Sequence, residues 1–186
     1  MLALFEIFTK RKNKRKLSSI REEYIQNFSM HPEHQWILED PEFKRAFEYL
    51  FDSLDDRILA QLSKHKPVIF IKSSGRLSLV VPSQDQAHIV MLFPDLIKVM
   101  HSASPLRAVA ILAHELGHIY LDHAHKDLDD LSAQLEADEF SFHLGWGGEL
   151  FSVLEDHSNS RDCRLRLQNL SRLFKSKEAY EHQSAL

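Results

Sequence analysis

The 186-residue chain has few residues that interrupt helices and almost none that form covalent cross-links. It contains 5 glycines and 6 prolines, which favours a largely helical fold with short loops. The single cysteine, Cys163, excludes an internal disulfide and a cysteine-rich metal framework. No apolar run reaches the ~18–20 residues of a membrane-spanning helix, and the apolar N-terminus precedes its basic run, whereas a secretory signal has its charges first. These absences predict a soluble, cytoplasmic protein.

Basic residues are slightly fewer than acidic ones, 23 against 27, and they are unevenly spread along the chain. The net charge of −4 disfavours a nucleic-acid binder, whereas Lys10–Lys16 is densely basic and follows an apolar stretch. We expect residues 1–16 to be able to contact an anionic membrane peripherally, and the alternative is a solvated, frayed terminus. The predicted organisation is a basic, flexible segment at 1–18, one domain at 19–174 and a polar tail at 175–186.

Hydrophobic periodicity predicts helices first and a small sheet after them. Apolar residues recur at helical spacing in 19–28, 42–51 and 54–62. Pro67–Lys72 and Leu77–Val81 read as strands joined by a turn, and Ala87–Phe93 reads as a third strand. The expected fold class is therefore α+β, a mainly helical single domain with a small, mostly antiparallel three-stranded sheet.

The most informative stretch is His114-Glu115-Leu116-Gly117-His118, which has the H-E-x-x-H pattern of hydrolytic zinc sites. The chain from Leu106 to Leu121 contains no proline and is predicted to be one buried helix. One helical turn separates His114 from His118, so both rings can reach one Zn²⁺, while Glu115 is rotated away and is free to act as a general base. The plain alternative is a buried helix with two hydrogen-bonded histidines in a chain that has 12 of them.

The order of strand, short helix, H-E-L-G-H helix and the later E-A-D-E-F-S segment resembles the gluzincin metallopeptidases. Within them it resembles the small relatives of the HtpX and CAAX-protease group, over roughly Ala87 to Leu170. The resemblance implies zinc-dependent hydrolysis of peptides or unfolded proteins. It also implies that the strand before the motif helix forms the substrate-binding rim, at Ala87, His88, Ile89, Val90 and Met91.

The resemblance implies a third zinc ligand on the next helix and an aspartate that orients the first motif histidine. It puts that aspartate at Asp138, but the ligand position four residues earlier holds Gln134. Glu136 is the nearest upstream carboxylate, although about 200° of helix separates it from Asp138. Three interpretations stay open: Glu136 ligates from a shifted helix, Gln134 ligates through its amide oxygen, or the site is poor in metal. The carboxylate chemistry slightly favours Glu136.

The segment from Asp156 to Leu170 resembles a histidine-then-arginine element of the same family and adds two candidate site residues. By the resemblance, His157 approaches the open zinc position or the substrate, and Arg164 stabilises the oxyanion or braces the cleft. The alternative is that both are surface polar residues. His123 and His125 do not have the spacing of a second metal site, and we assign them no metal.

Two functions compete on this sequence. The first is a zinc metalloendopeptidase in which Glu115 activates water. The second is a catalytically weak or inactive relative that binds a protein or membrane partner, and Gln134 is the main argument for it. The intact H-E-L-G-H motif argues for the first.

Overall fold

A computed structural model describes residues 20–64, 66–74, 78–82 and 87–184. The basic N-terminal segment lies outside these residues, and so does the membrane contact predicted for residues 1–16. The proposed domain limits at residues 18 and 174 stay predictions.

The N-terminal half is helical because aspartate caps and amphipathic spacing act together. Its helices, in order, are α1 at 20–30, a 3₁₀ turn at Pro32–His34, α2 at Gln35–Leu38, α3 at Pro41–Ser53 and α4 at Asp56–Ser63. The Oδ1 of Asp40 accepts bonds from the first turn of α3, and Asp55 caps α4 in the same way. Phe43, Phe47 and Leu50 on one face of α3 are at most 2% exposed, so this face enters the core.

A buried histidine joins these helices to the sheet. His34 is 2% exposed, and one of its ring nitrogens lies 2.9 Å from the Phe28 carbonyl. Its Nε2 accepts the backbone N–H of Phe70 at 3.0 Å, which leaves Nδ1–H as the donor to Phe28. Burial lowers the pKa of His34 to about 4. A neutral imidazole thus satisfies two buried backbone groups from distant parts of the chain.

The sheet is mixed, and the prediction of a mostly antiparallel sheet was wrong. Its strands are β1 at Val68–Lys72, β2 at Ser78–Pro82 and β3 at His88–Leu92, in the order β1-β3-β2. β1 pairs with β3 in parallel, and only β2 and β3 are antiparallel. The expected β1–β2 hairpin does not form because β3 inserts between the two strands. β3 has no Lys, Arg, Asp or Glu among its five residues, which suits a central strand.

Five helices form the C-terminal half. They are α5 at Pro94–Met100, α6 at Leu106–Tyr120, α7 at Asp130–Ser141, α8 at Gly147–Glu155 and α9 at Arg161–Ser184. The helix predicted around the H-E-x-x-H motif is confirmed as α6, and every residue from Ala108 to Gly117 is buried. Helix α6 contacts α3, α5, α7, α8 and β2, so it is the central element of the fold.

The remaining helices fold back over α6. Between α7 and α8 the chain makes a wide turn at Phe142–Trp146, where Gly145 has a φ of 97°, a value that glycine adopts without strain. A helix resumes directly after this turn, at Gly147. Helix α9 continues past Lys175 with exposed side chains. None of the helices in the described ranges is long and apolar enough to cross a membrane.

Candidate metal centre

The two motif histidines of helix α6 direct their Nε2 atoms toward the same point. The Nε2 atoms of His114 and His118 lie 3.1 Å apart, and His114 is only 5% exposed. Two donors on a tetrahedral zinc ion with bonds of 2.0–2.1 Å are separated by roughly 3.3 Å. The pair therefore has the spacing of two ligands on one ion, as the one-turn separation in the sequence predicts.

Helix α7 packs very closely on the motif. A Cβ atom added at Gly117 would lie 3.2 Å from the backbone of Ala137, so the glycine permits this approach. The approach brings Gln134 to the imidazole pair: its Oε1 lies 3.1 Å from Nε2 of His114, and its Nε2 lies 3.4 Å from Nε2 of His118. In either orientation of the amide, its oxygen lies within 3.4 Å of an imidazole nitrogen.

Glu136 does not reach the imidazole pair. Its Oε2 lies 3.1 Å from Nε2 of His123 and 3.0 Å from Nζ of Lys126. The geometry goes against the slight preference for Glu136 as third ligand and favours Gln134. The physical reason is helical phase, because two residues along α7 rotate a side chain by about 200°.

Asp138 stands behind the ring of His114. Its Oδ1 lies 2.8 Å from Nδ1 of His114 in a close but bent contact. Arg166 of α9 clamps the same carboxylate from the other side, with Nε–Oδ2 at 2.7 Å and Nη2–Oδ1 at 2.6 Å. Burial alone would raise the pKa of Asp138, but the bonds from Arg166 and His114 outweigh it and hold the pKa below its usual range. The anion favours a proton on Nδ1 of His114 and leaves Nε2 with its lone pair.

A second histidine stands behind the ring of His118. Nδ1 of His118 lies 2.8 Å from Nδ1 of His123, whose side chain is 6% exposed. Burial, reinforced by the neighbouring His114 and His123 rings, lowers the pKa of His118 to about 3. His118 is therefore a neutral ring at physiological pH, as a metal ligand must be.

The imidazole pair opens into a cleft of about 910 Å³. Glu115 is 9% exposed and lines this cleft next to the pair, which is the location that a water-activating base requires. The wall combines apolar side chains from α6 and α8, such as Ile111 and Leu154, with polar groups from α7 and α9. The site is thus a concave pocket with convergent polar groups on one wall.

The C-terminal residues singled out in the sequence occupy different places. His157 lines the cleft from the turn before α9, and its Nδ1 lies 3.0 Å from the Val153 carbonyl. Arg164 donates to the carbonyls of Ser158 and Asn159, so it braces that turn. The arginine that enters the cleft is Arg166, which sequence reasoning missed. The one indication of Arg166 in the sequence was its position two residues after Arg164.

The predicted substrate rim needs a correction. β3 contains four of the five predicted rim residues, but β1 pairs along one of its edges and β2 along the other. A peptide therefore cannot add to β3 as a new strand. His88 at its start still lines the cleft. Strand β2 contacts α6 and pairs on one side only among the described strands.

The donor set fits a metal ion, although it is unusual. Within the described ranges, no third His, Cys, Asp or Glu joins His114 and His118 in a group of three that could hold a metal. Gln134 is the side chain placed to offer a third donor, a neutral amide oxygen. The two Nε2 atoms 3.1 Å apart and the Gln134 oxygen beside them could donate three lone pairs to one ion.

An H-E-x-x-H helix backed by a second helix that carries an aspartate is the arrangement typical of zinc metallopeptidases. Residues 82–150 match the family model described as Peptidase family M48, and this range contains the whole α6–α7 part of the site. The match supports the resemblance to M48-type gluzincin metallopeptidases that the sequence indicated. The matched range ends before His157 and Arg164. No curated protein and no solved structure matches the chain.

Proposed function

We propose that this chain is a zinc-dependent metalloendopeptidase. The observation that carries the proposal is the pair of imidazole Nε2 atoms 3.1 Å apart beside Glu115 in one cleft. The M48 match supports peptidase chemistry in general. The zinc dependence and the roles of individual residues are the finer part of the proposal.

His114, His118 and the amide oxygen of Gln134 would hold the ion. When bound, zinc supplies Lewis acidity, which acidifies water and polarises a carbonyl group. Asp138 keeps the ring of His114 oriented with its lone pair toward the site. An amide oxygen in place of a carboxylate leaves the cation less compensated, which weakens its binding and strengthens its pull on a carbonyl.

Glu115 would act as the general base. Its carboxylate takes a proton from the attacking water and returns that proton to the nitrogen of the departing amine. His157 lines the same cleft and would contact the substrate near the scissile bond. Arg164 would serve this step indirectly, by bracing the turn that carries His157.

The substrate would be an extended peptide or an unfolded protein. The cleft of about 910 Å³ is lined by residues of the motif helix, and the same helix contacts strand β2, whose other edge has no partner among the described strands. An extended chain pairs with such an edge through its backbone, independently of its sequence.

The test of this function is Glu115→Gln. The substitution should lower hydrolysis of a reduced and alkylated protein by roughly 10²–10⁴-fold, because it removes the base. Bound zinc should be unchanged, because no ligand is touched. Glu139→Gln, an exposed change on α7, serves as the matched control and should retain full activity. Equal cleavage by the wild type and by Glu115→Gln would contradict the mechanism.

A second function has one specific observation in its favour. Gln134 occupies the position at which a carboxylate would strengthen zinc binding, so the chain would be a weak or inactive relative that binds a protein or membrane partner. Zinc titration of the wild type separates the two functions. An inactive relative should bind zinc poorly and should cleave no substrate even with zinc in excess.

We also propose that the protein works in the cytoplasm and contacts anionic membrane through residues 1–16. The support is the charge of Lys10–Lys16 and the apolar residues before it. Deleting residues 1–16 should abolish sedimentation with vesicles that contain phosphatidylserine and should leave the fold unchanged. Equal sedimentation of both proteins would contradict the anchor.

A further inference from the structure

We infer that His123, backed by Glu136, is a positioning residue that sets the proton and the orientation of the His118 ring for metal binding. The inference rests on the proposed metal site and assigns a task to a histidine that the motif does not include. It concerns the Nδ1 side of the His118 ring, which is opposite to the Nε2 atom that faces His114.

Three close contacts form a continuous chain behind His118. Its Nδ1 lies 2.8 Å from Nδ1 of His123. The opposite nitrogen of His123, Nε2, lies 3.1 Å from Oε2 of Glu136. The same carboxylate oxygen lies 3.0 Å from Nζ of Lys126. The ring of His118 is thus linked through an imidazole to a carboxylate that a lysine holds in place.

The chain of contacts favours one arrangement of protons when the ring of His123 is neutral. The carboxylate of Glu136 only accepts, so Nε2 of His123 carries a hydrogen. A neutral His123 then has a lone pair on Nδ1, and this lone pair must accept a hydrogen from Nδ1 of His118. His118 is left with a lone pair on Nε2, the atom that lies 3.1 Å from Nε2 of His114. The result is the tautomer that a zinc ligand needs.

The backbone reverses direction after α6, and this reversal brings the side chain of His123 back to His118. Asp122 adopts the left-handed conformation, with a φ of 56°, and the 3₁₀ turn His123–His125 follows it directly. Aspartate tolerates this conformation better than most residues. The reversal places the His123 ring at 4.9 Å from that of His118, nearly perpendicular to it, with 6% of the side chain exposed.

His123 is thereby distinguished from a metal ligand. Both of its nitrogens have partners, Nδ1 at His118 and Nε2 at Glu136, so no lone pair is left for a second ion. Its place relative to His118 corresponds to that of Asp138 relative to His114. Each motif histidine therefore has its own group behind it, and only that of His114 is a carboxylate in direct contact.

The first test reads the tautomer of the wild-type chain without any variant. Long-range proton–nitrogen correlation spectra of the full-length, zinc-stripped protein, labelled with ¹⁵N at histidine and held near pH 8, distinguish the two ring nitrogens. The inference predicts that His118 carries its proton on Nδ1 and that His123 carries its proton on Nε2. A proton on Nε2 of His118 would overturn it.

The second test measures zinc affinity by competition with a chromogenic chelator. His123→Phe keeps a ring in the same space but offers no acceptor, and it should weaken zinc binding by about 10-fold or more. His123→Asn restores an acceptor oxygen near the position of Nδ1 and should recover most of that loss. Glu139→Gln should bind zinc as the wild type does. Zinc binding by His123→Phe equal to that of the wild type would overturn the inference.

The two tests keep this inference separate from the proposed function. A wild-type chain that binds no zinc removes the metallopeptidase proposal, and the tautomer measurement then decides on His123 by itself. A wild type that binds zinc but whose His118 carries its proton on Nε2 in the zinc-stripped state keeps the peptidase proposal and removes this inference. Circular dichroism on His123→Phe checks its fold.

Discussion

The two histidines of the motif are supported by two groups of similar chemistry in opposite environments. Behind His114, Asp138 is fully buried, and the side chain of its partner Arg166 is 15% exposed. Behind His118, the chain through His123 ends at Glu136 and Lys126, whose side chains are 40% and 41% exposed. We call Asp138 with Arg166 the buried arm. We call Glu136 with Lys126, which reach His118 through His123, the exposed arm.

The difference shows what each arm contributes to the molecule. A buried ion pair is costly to break, because removing one partner leaves the other charge without water or counter-ion. An exposed pair is worth little in stability, since solvent already screens both charges. We therefore expect the buried arm to stabilise the fold as well as to orient its histidine. We expect the exposed arm to act on metal binding alone.

The largest effect should come from breaking the buried arm. Asp138→Asn leaves Arg166 facing a neutral group in a buried position, and the free energy of unfolding should fall by roughly 3 kcal/mol or more. The matched change Glu136→Gln in the exposed arm should leave the urea midpoint unchanged. Adding Arg166→Met to Asp138→Asn should recover part of the loss, because no unpaired charge then remains. Equal midpoints for the two single variants would contradict the distinction between the arms.

His34, a buried histidine outside the site, sharpens the comparison because no carboxylate among the described residues stands behind it. The pKa of His34 is lowered from 6.5 to about 4, so the unfolded chain takes up this proton more readily than the native one. The contribution of His34 to stability is complete above pH 6.5 and is lost as the pH falls toward 4, by a total of roughly 3 kcal/mol.

His34→Gln removes the titrating group but keeps a donor and an acceptor. Urea unfolding between pH 7 and pH 4 should show a shallower decline for this variant than for the wild type. The ring of His118 titrates in both proteins, so the difference between the curves reports His34 alone. Parallel curves would show that His34 is not held neutral by burial.

The smallest of these effects concerns the third donor. Gln134→Glu places a carboxylate beside the imidazole pair and should raise zinc affinity by about 10-fold. Glu136→Gln keeps an amide oxygen for His123 and should change zinc affinity little. Chelator competition on the two variants distinguishes the assignments. A loss of about 10-fold in Glu136→Gln, with no gain in Gln134→Glu, would assign the ligand to Glu136 instead.

The parts of this site that could be predicted are those set by local geometry. Helical spacing alone indicated that His114 and His118 share a face and that Glu136 and Asp138 do not. The same argument would have chosen Gln134 over Glu136, had the preference for a carboxylate ligand not been weighed against it. Chemistry suggested the better ligand, and helical phase determined which side chain faces the pair.

The parts that could not be predicted depend on distant segments. The order β1-β3-β2 depends on a strand that inserts between two others, and the turn residues between β1 and β2 carry no information about it. Arg166 reaches Asp138 across 28 residues, through the packing of α9 on α7. His123 needed the left-handed Asp122 to return its ring to the motif. Neither side chain stands at a spacing that marks it in the sequence.

The most direct test of the account is the zinc content of the purified full-length protein. Elemental analysis after gentle desalting and after dialysis against micromolar zinc should give about one zinc per chain. The double variant His114→Asn, His118→Asn should contain none, and Glu139→Gln should match the wild type. A wild-type chain that carries no zinc and takes up none at these concentrations would contradict the metal centre and, with it, the proposed peptidase.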